Sequence, residues 1–158
     1  MKRLFDLSFS IVLSVLLIIP MLIIALLIRL SSKGPALYWS DRIGINKVIF
    51  GMPKFRTMKI DTPSVATHLL NDPESFYIPF GKFLRQTSLD ELPQIWSIIV
   101  GDMSFVGPRP ALFNQDDLAN LRDDKGIYHL KPGLTGWAQI NGRDDLSIEE
   151  KVHYDYEY

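Results

Sequence analysis

Residues 11–28 read Ile-Val-Leu-Ser-Val-Leu-Leu-Ile-Ile-Pro-Met-Leu-Ile-Ile-Ala-Leu-Leu-Ile. The stretch carries no charge, and Ser14 is its only clearly polar side chain. As a straight helix it rises about 27 Å, close to the hydrocarbon thickness of a bilayer. A cleaved leader fits poorly, because Asp6 sits in the would-be basic region and no small-residue cleavage site follows the apolar run. Nor does a helix apolar on every face suit the small core of a 158-residue chain. The segment marks a membrane protein.

Two details shape how it meets the bilayer. Pro20 falls near the middle, where it removes a helix hydrogen bond and crowds the preceding turn. Basic residues flank both ends, Lys2 and Arg3 before it, Arg29 and Lys33 after it. Each flank favours the cytoplasmic side, so the two compete if the helix crosses. A helix that dips in, bends at Pro20 and returns to the same face satisfies both observations. An ordinary span with a tolerated proline kink is the alternative. Ser31–Pro35, with Gly34 and Pro35, is the polar exit, dividing a membrane element (1–30) from the remaining domain (31–158).

Composition removes several chemistries. The net charge is −1, from 17 basic and 18 acidic residues, and gives no global field for nucleic acid. There is no cysteine, hence no disulfide framework, thiolate zinc site or cysteine nucleophile. His68, His129 and His153 lack metal-ligand spacing, and no Gly-x-Ser-x-Gly occurs. Carboxylates and cations remain as the chemical tools.

Beyond the exit, Ala36–Ile60 reads as short apolar runs and turns, the turns including Gly44 and Gly51-Met52-Pro53, with strands expected at Val48–Phe50 and Phe55–Met58. Lys54, Arg56 and Lys59 make it basic, which suits either a face beside anionic headgroups or a phosphate-binding edge. Asp61–Pro79, containing Asn71, reads as loop and short helix. An aromatic-rich patch follows at Phe76, Tyr77, Ile78, Phe80 and Phe83, suited to a core or a membrane interface. Asp116–Lys125 reads as a surface helix plus turn, and the glycine-dense Lys131–Arg143 as loop.

Residues 85–110 carry the chemistry. Ser88-Leu89-Asp90-Glu91 matches a capping box, with Leu89, Leu92, Ile95, Trp96 and Ile99 at helical spacing as a buried stripe behind it. On that structural reading Glu91 closes the box and Asp90 favours the positive end of the helix dipole. The functional reading uses the same residues. An aspartate there can attack phosphorus, and its neighbour can hold Mg²⁺ with substrate phosphate oxygens. Arg85 and Arg109 can neutralise charge during transfer, Arg109 on the stiff Gly107-Pro108-Arg109-Pro110 backbone.

Taken together these blocks resemble the bacterial sugar transferases, the small monotopic phosphoglycosyl transferases. The resemblance covers nearly the whole chain: Lys2-Arg3-Leu4-Phe5-Asp6, Lys54-Phe55-Arg56-Thr57-Met58, Thr87 to Gln94, Gly101-Asp102-Met103-Ser104, Gly107-Pro108-Arg109-Pro110 and Lys131 to Gly136. It implies transfer of a phosphosugar from a UDP-sugar to undecaprenyl phosphate or a similar polyprenol phosphate, with release of UMP. Asp90 would then be the nucleophile that carries the phosphosugar, and Glu91 the Mg²⁺ ligand. Lys54, Arg56, Arg85 and Arg109 would bind phosphate.

The family's membrane helix is re-entrant, and its domain rests on the cytoplasmic face of the inner membrane. The expected fold is therefore α/β, mostly α with a few short strands, behind one re-entrant helix broken at Pro20. The expected partners are the UDP-sugar, the polyprenol phosphate and membrane lipid; whether the chain forms a homodimer stays open. The family often places Ser-Pro at the helix break, where this chain has Ile19-Pro20. It also usually continues past Tyr154-Asp155-Tyr156, so an end at Tyr158 suggests a short member or a truncated chain. A rival reading, a non-catalytic membrane-anchored scaffold for glycan assembly, has no need of the Asp90-Glu91 pair or the arginines.

Overall fold

The computed structural model describes residues 1–63, 72–142 and 145–158; His68, Asn71 and Arg143 lie outside these. The fold is mixed α/β. It divides into two compact units, one of residues 1–13, 40–52 and 94–158, the other of residues 14–39 and 53–93.

Helix α1 runs Lys2–Ser31, with Pro20 inside it. It is longer than the apolar stretch alone, and Pro20 does not interrupt it: helical structure continues on both sides. The expected break is thus no gap in the helix, because losing one hydrogen bond near the middle leaves many others to carry it. By length and composition α1 can cross or anchor to a membrane, and 6% of its most apolar window is buried against protein. Leu16, Ile19, Leu22, Ile23 and Leu26 are all exposed. Its two parts pack differently. In the first unit Asp6 and Ser10 are buried, and the Asp6 carboxyl accepts from Ser104 Oγ at 2.8 Å and Phe105 N at 3.3 Å. Arg3 donates to the carbonyls of Ile98 and Ile99. In the second unit Ile24 and Ile28 enter an apolar core with Phe55, Ile78 and Leu84.

Strands β1 (Leu37–Ile43) and β2 (Ile49–Phe55) form a two-stranded sheet. A tight turn at Ile45–Lys47 joins them, with Asn46 and Lys47 left-handed at φ 51° and 62°. The sequence reading expected turns at Gly51-Met52-Pro53; instead β2 runs straight through them. A two-stranded sheet leaves half of its backbone N–H groups unpaired, so a proline is tolerated where a central strand would reject it. Beyond Phe55 the chain is not a strand; Met58 makes an isolated bridge to Tyr77.

Short helices α2 (Pro73–Phe76) and α3 (Gly81–Gln86) follow in the second unit. In the first unit come α4 (Ile95–Val100), β3 (Ser104–Val106), α5 (Asp116–Asp124), β4 (Gly133–Thr135), α6 (Trp137–Ile140) and α7 (Ile148–Glu157). Helix α5 lies where the charged Asp116–Lys125 segment predicts one. The glycine-dense Lys131–Arg143 stretch is not all loop. Strand β4 runs parallel to β3, with Ser104 opposite Gly133 and Val106 opposite Thr135. Its glycines serve close approach: a Cβ at Gly133 would stand 2.1 Å from Gly107 N. The first unit has two small cores, one around Ala111, Leu118, Ile127 and Val152, the other around Met52, Ile98 and Met103.

Candidate active site

The expected single helix after Ser88 is two elements. Leu89–Gln94 winds as a 3₁₀ helix containing Pro93, and α4 starts only at Ile95. An α-turn here would drive the Pro93 ring against the Leu89 carbonyl. The change of winding also shifts the apolar phase: Ile95 and Ile98 are buried, whereas Trp96 is 55% exposed and leaves the expected stripe. Ser88 lies at φ 57°, left-handed, where an N-cap residue takes an extended conformation. Glu91, expected to serve the helix start, has a partner from β2 as well. The Glu91 carboxylate accepts from Lys54 Nζ at 3.2 Å, and the pair is largely shielded from solvent. A true capping box occurs at Ser147 and Glu150, at the start of α7; the same S-x-x-E spacing was there to read.

In a 3₁₀ helix successive side chains point about 120° apart. Neighbouring carboxyls are thereby separated: Asp90 is 5% exposed, and Glu91 turns to Lys54. Burial pushes the Asp90 carboxyl above the ordinary aspartate range. Lys54 pulls it back, Glu91 pushes it further up, and Arg85 pulls it down. Lys54, Glu91 and Arg85 therefore each act electrostatically on Asp90. Helix α3, which carries Arg85, is seated by Gly81, where an added Cβ would lie 2.1 Å from Thr57 O.

Arg56 does not join them. It is buried, and Nε donates to Pro35 O at 2.7 Å, Nη1 to Met58 O at 3.3 Å and Nη2 to Ser32 Oγ at 2.8 Å. Its guanidinium is engaged by the chain leaving α1 and by the segment after β2. Burial, then the nearby Arg29, lowers its pKa.

Arg109 belongs to the first unit, in the loop after β3. That loop is held by its backbone. Gly107 N donates to Thr135 O at 2.9 Å and Gly133 N to Pro108 O at 2.9 Å. Arg122 Nη1 donates to Arg109 O at 2.7 Å, and Arg42 Nη1 to Pro110 O at 3.1 Å. Three consecutive carbonyls each have a donor. A Cβ at Gly107 would stand 2.3 Å from Lys131 O, and one at Gly136 would stand 2.2 Å from Gly107 O. Gly107-Pro108-Arg109-Pro110 is thus the stiff support that its prolines suggest. Arg42 and Arg122 were not foreseen, because neither lies in a recognisable local pattern.

Among the described residues no three His, Asp or Glu side chains cluster as a metal site. Glu91 by itself is a smaller donor set. It suits a hard cation that takes one or two carboxylates and completes its shell with water and substrate phosphate.

Residues 1–158 match the bacterial sugar transferases. The chain is 38% identical, over all of its length, to an undecaprenyl-phosphate galactose phosphotransferase of Salmonella typhimurium, of which it covers 36%. It is 43% identical over 90% of its length to a UDP-glucose:undecaprenyl-phosphate glucose-1-phosphate transferase of Escherichia coli, of which it covers 32%. An uncharacterized sugar transferase of Bacillus subtilis is 38% identical over the whole chain, which covers 77% of it. The chain spans about a third of the length of the first two relatives. A match along the whole chain, with relatives well above 30% identity, places it: the chain belongs to the bacterial sugar transferase family.

Proposed function

We propose that this chain moves a sugar phosphate from a UDP-sugar to undecaprenyl phosphate or a similar polyprenol phosphate. The observation that carries the reading is the buried Asp90 carboxyl, set at a left-handed turn beside the Lys54–Glu91 pair. Burying a carboxyl is costly. The names of the Salmonella and Escherichia coli relatives supply the reaction class.

An Asp90 carboxylate oxygen attacks the phosphorus that bears the sugar. A P–O bond forms to Asp90, the P–O bond to the nucleotide breaks, and UMP leaves with that electron pair. A phosphate oxygen of the polyprenol phosphate then attacks the same phosphorus. The bond to Asp90 breaks, the carboxylate is regenerated, and the sugar leaves on a lipid diphosphate. Lys54, Arg85 and Arg109 bind the phosphates and offset their charge. Glu91 would hold Mg²⁺, its bond to Lys54 loosening, and the ion would offset negative charge on the substrate phosphates.

In this reading α1 enters the membrane from the cytoplasmic side and returns to it. Basic residues at both flanks support that placement, Lys2 and Arg3 before the apolar stretch, Arg29 and Lys33 after it. The lipid phosphate and the water-soluble nucleotide then meet at the headgroups of the inner membrane.

Purified protein in detergent, given Mg²⁺, undecaprenyl phosphate and a panel of UDP-sugars, is expected to release UMP with at least one sugar. Asp90→Asn is expected to fall by at least about 10³-fold, and EDTA to stop turnover until Mg²⁺ is restored. Full activity in Asp90→Asn removes the nucleophile from this account.

The pH profile follows from the site's electrostatics. Turnover needs ionised Asp90, so activity is lost as pH falls through its raised pKa, above the ordinary value of about 3.9. Lys54→Met removes a cation that lowers that pKa, so its acid limb moves to higher pH. A limb that stays put or moves down contradicts the coupling.

The native chain has no cysteine, so single cysteines at Lys2 and Lys33 report topology cleanly. Both are expected to react with a membrane-impermeant maleimide from the cytoplasmic side of oriented vesicles. Labelling of one from each side would make α1 a span.

A further inference from the structure

Arg122 on α5 and Asp155 on α7 have no part in the mechanism above, yet they form the most deeply buried ion pair among the described residues. Their side chains are 5% and 1% exposed. Such a pair is a poor source of stability, since removing two charges from water costs several kcal/mol per ion and apolar replacement is often neutral or better. The geometry points to another use. Arg122 Nε, at 3.0 Å, and Nη2 both donate to the same oxygen, Asp155 Oδ2. Asp155 Oδ1 finds no hydrogen-bond partner among the described residues. A fork-on-fork pair would have satisfied both oxygens.

Presenting one edge of the guanidinium to Asp155 leaves Nη1 pointing away, and Nη1 donates to Arg109 O at 2.7 Å. That carbonyl lies between two others already held, Pro108 O by Gly133 N and Pro110 O by Arg42. The residues on either side of Arg109 are prolines, without N–H groups to fix the peptide planes. Arg122 is therefore the bond that sets the peptide plane following Arg109, and with it the direction in which its side chain leaves the loop.

We propose that Arg122 and Asp155 are positioning residues for Arg109: Asp155 aims Arg122, and Arg122 fixes the Arg109 carbonyl. This rests on the reading of Arg109 as a phosphate-binding residue. A displacement of about 1 Å in such a group costs on the order of 10²-fold in rate, whereas a residue serving only the fold acts alike whether or not Arg109 is present.

The test is a double-mutant cycle on the full chain in detergent. It uses undecaprenyl phosphate and whichever of UDP-glucose and UDP-galactose the parent protein turns over faster. Arg122→Lys keeps the charge but lacks the fork, and is expected to lower kcat/KM by about 10- to 100-fold. Combined with Arg109→Ala it is expected to add less than about twofold, because its effect runs through Arg109. Equal losses in both backgrounds overturn the positioning role alone. A fully active Arg109→Ala overturns the phosphate reading of Arg109, and the positioning role with it.

Because Arg122→Lys can disturb folding, the paired apolar replacement Arg122→Met with Asp155→Leu gives a second reading. It is expected to unfold at a temperature near the parent's while its activity stays low. Activity that returns with the fold overturns the proposal.

Discussion

The constraint on which the site depends is the turn that Pro93 imposes. Its ring excludes an α-turn over the Leu89 carbonyl, so the chain enters as a 3₁₀ helix from a left-handed Ser88. Tight winding separates two adjacent carboxyls that an ordinary capping box would have used for the helix itself. One is buried and its pKa rises; the other meets Lys54. A left-handed non-glycine residue costs on the order of 1 kcal/mol or more. Its place two residues before Asp90 fits the tendency of such strain to gather where function needs an uncommon arrangement.

A second constraint, in the other unit, is backbone contact at glycine. Gly107, Gly133 and Gly136 approach so closely that no side chain fits, and this proximity lets β3 and β4 pair in parallel. The loop leaving β3 has its carbonyls taken by one backbone and two arginine donors. Arg109 therefore leaves a rigid support, with little backbone freedom left to it. The two sites are stiff for different reasons, one through proline and strain, the other through glycine and hydrogen bonds.

How much of this could be read from the chain follows from how local each signal is. The long apolar helix was legible because apolarity on every face has few other uses than a membrane. Narrow chemistry singles out Lys54, Arg85, Asp90 and Glu91 in the chain, and the fold puts the first, second and fourth where they act on Asp90; the rigidity of the loop at Arg109 was legible in its prolines. The S-x-x-E spacing at Ser88 does not reveal Lys54, which reaches Glu91 from a distant strand, nor the left-handed backbone of Ser88. The same spacing at Ser147, with nothing competing, forms the box. Trp96 was misplaced because the periodicity changes at the junction of 3₁₀ and α winding. Lys131–Gly136 looked like loop because glycine density does not distinguish flexibility from close packing. Arg56 shares a block with Lys54, but burial turned it to backbone carbonyls. Arg122 and Asp155 lie 33 residues apart, and no local pattern joins them.

The central claim is that Asp90 itself carries the phosphosugar, and intact-protein mass spectrometry tests it most directly. Protein is incubated with Mg²⁺ and the preferred UDP-sugar in the absence of polyprenol phosphate, quenched, weighed and then digested. The account predicts a mass increase of one sugar phosphate on the peptide containing Asp90, which disappears when undecaprenyl phosphate is added. Steady turnover with the lipid present, but no adduct or an adduct on another residue, would contradict it.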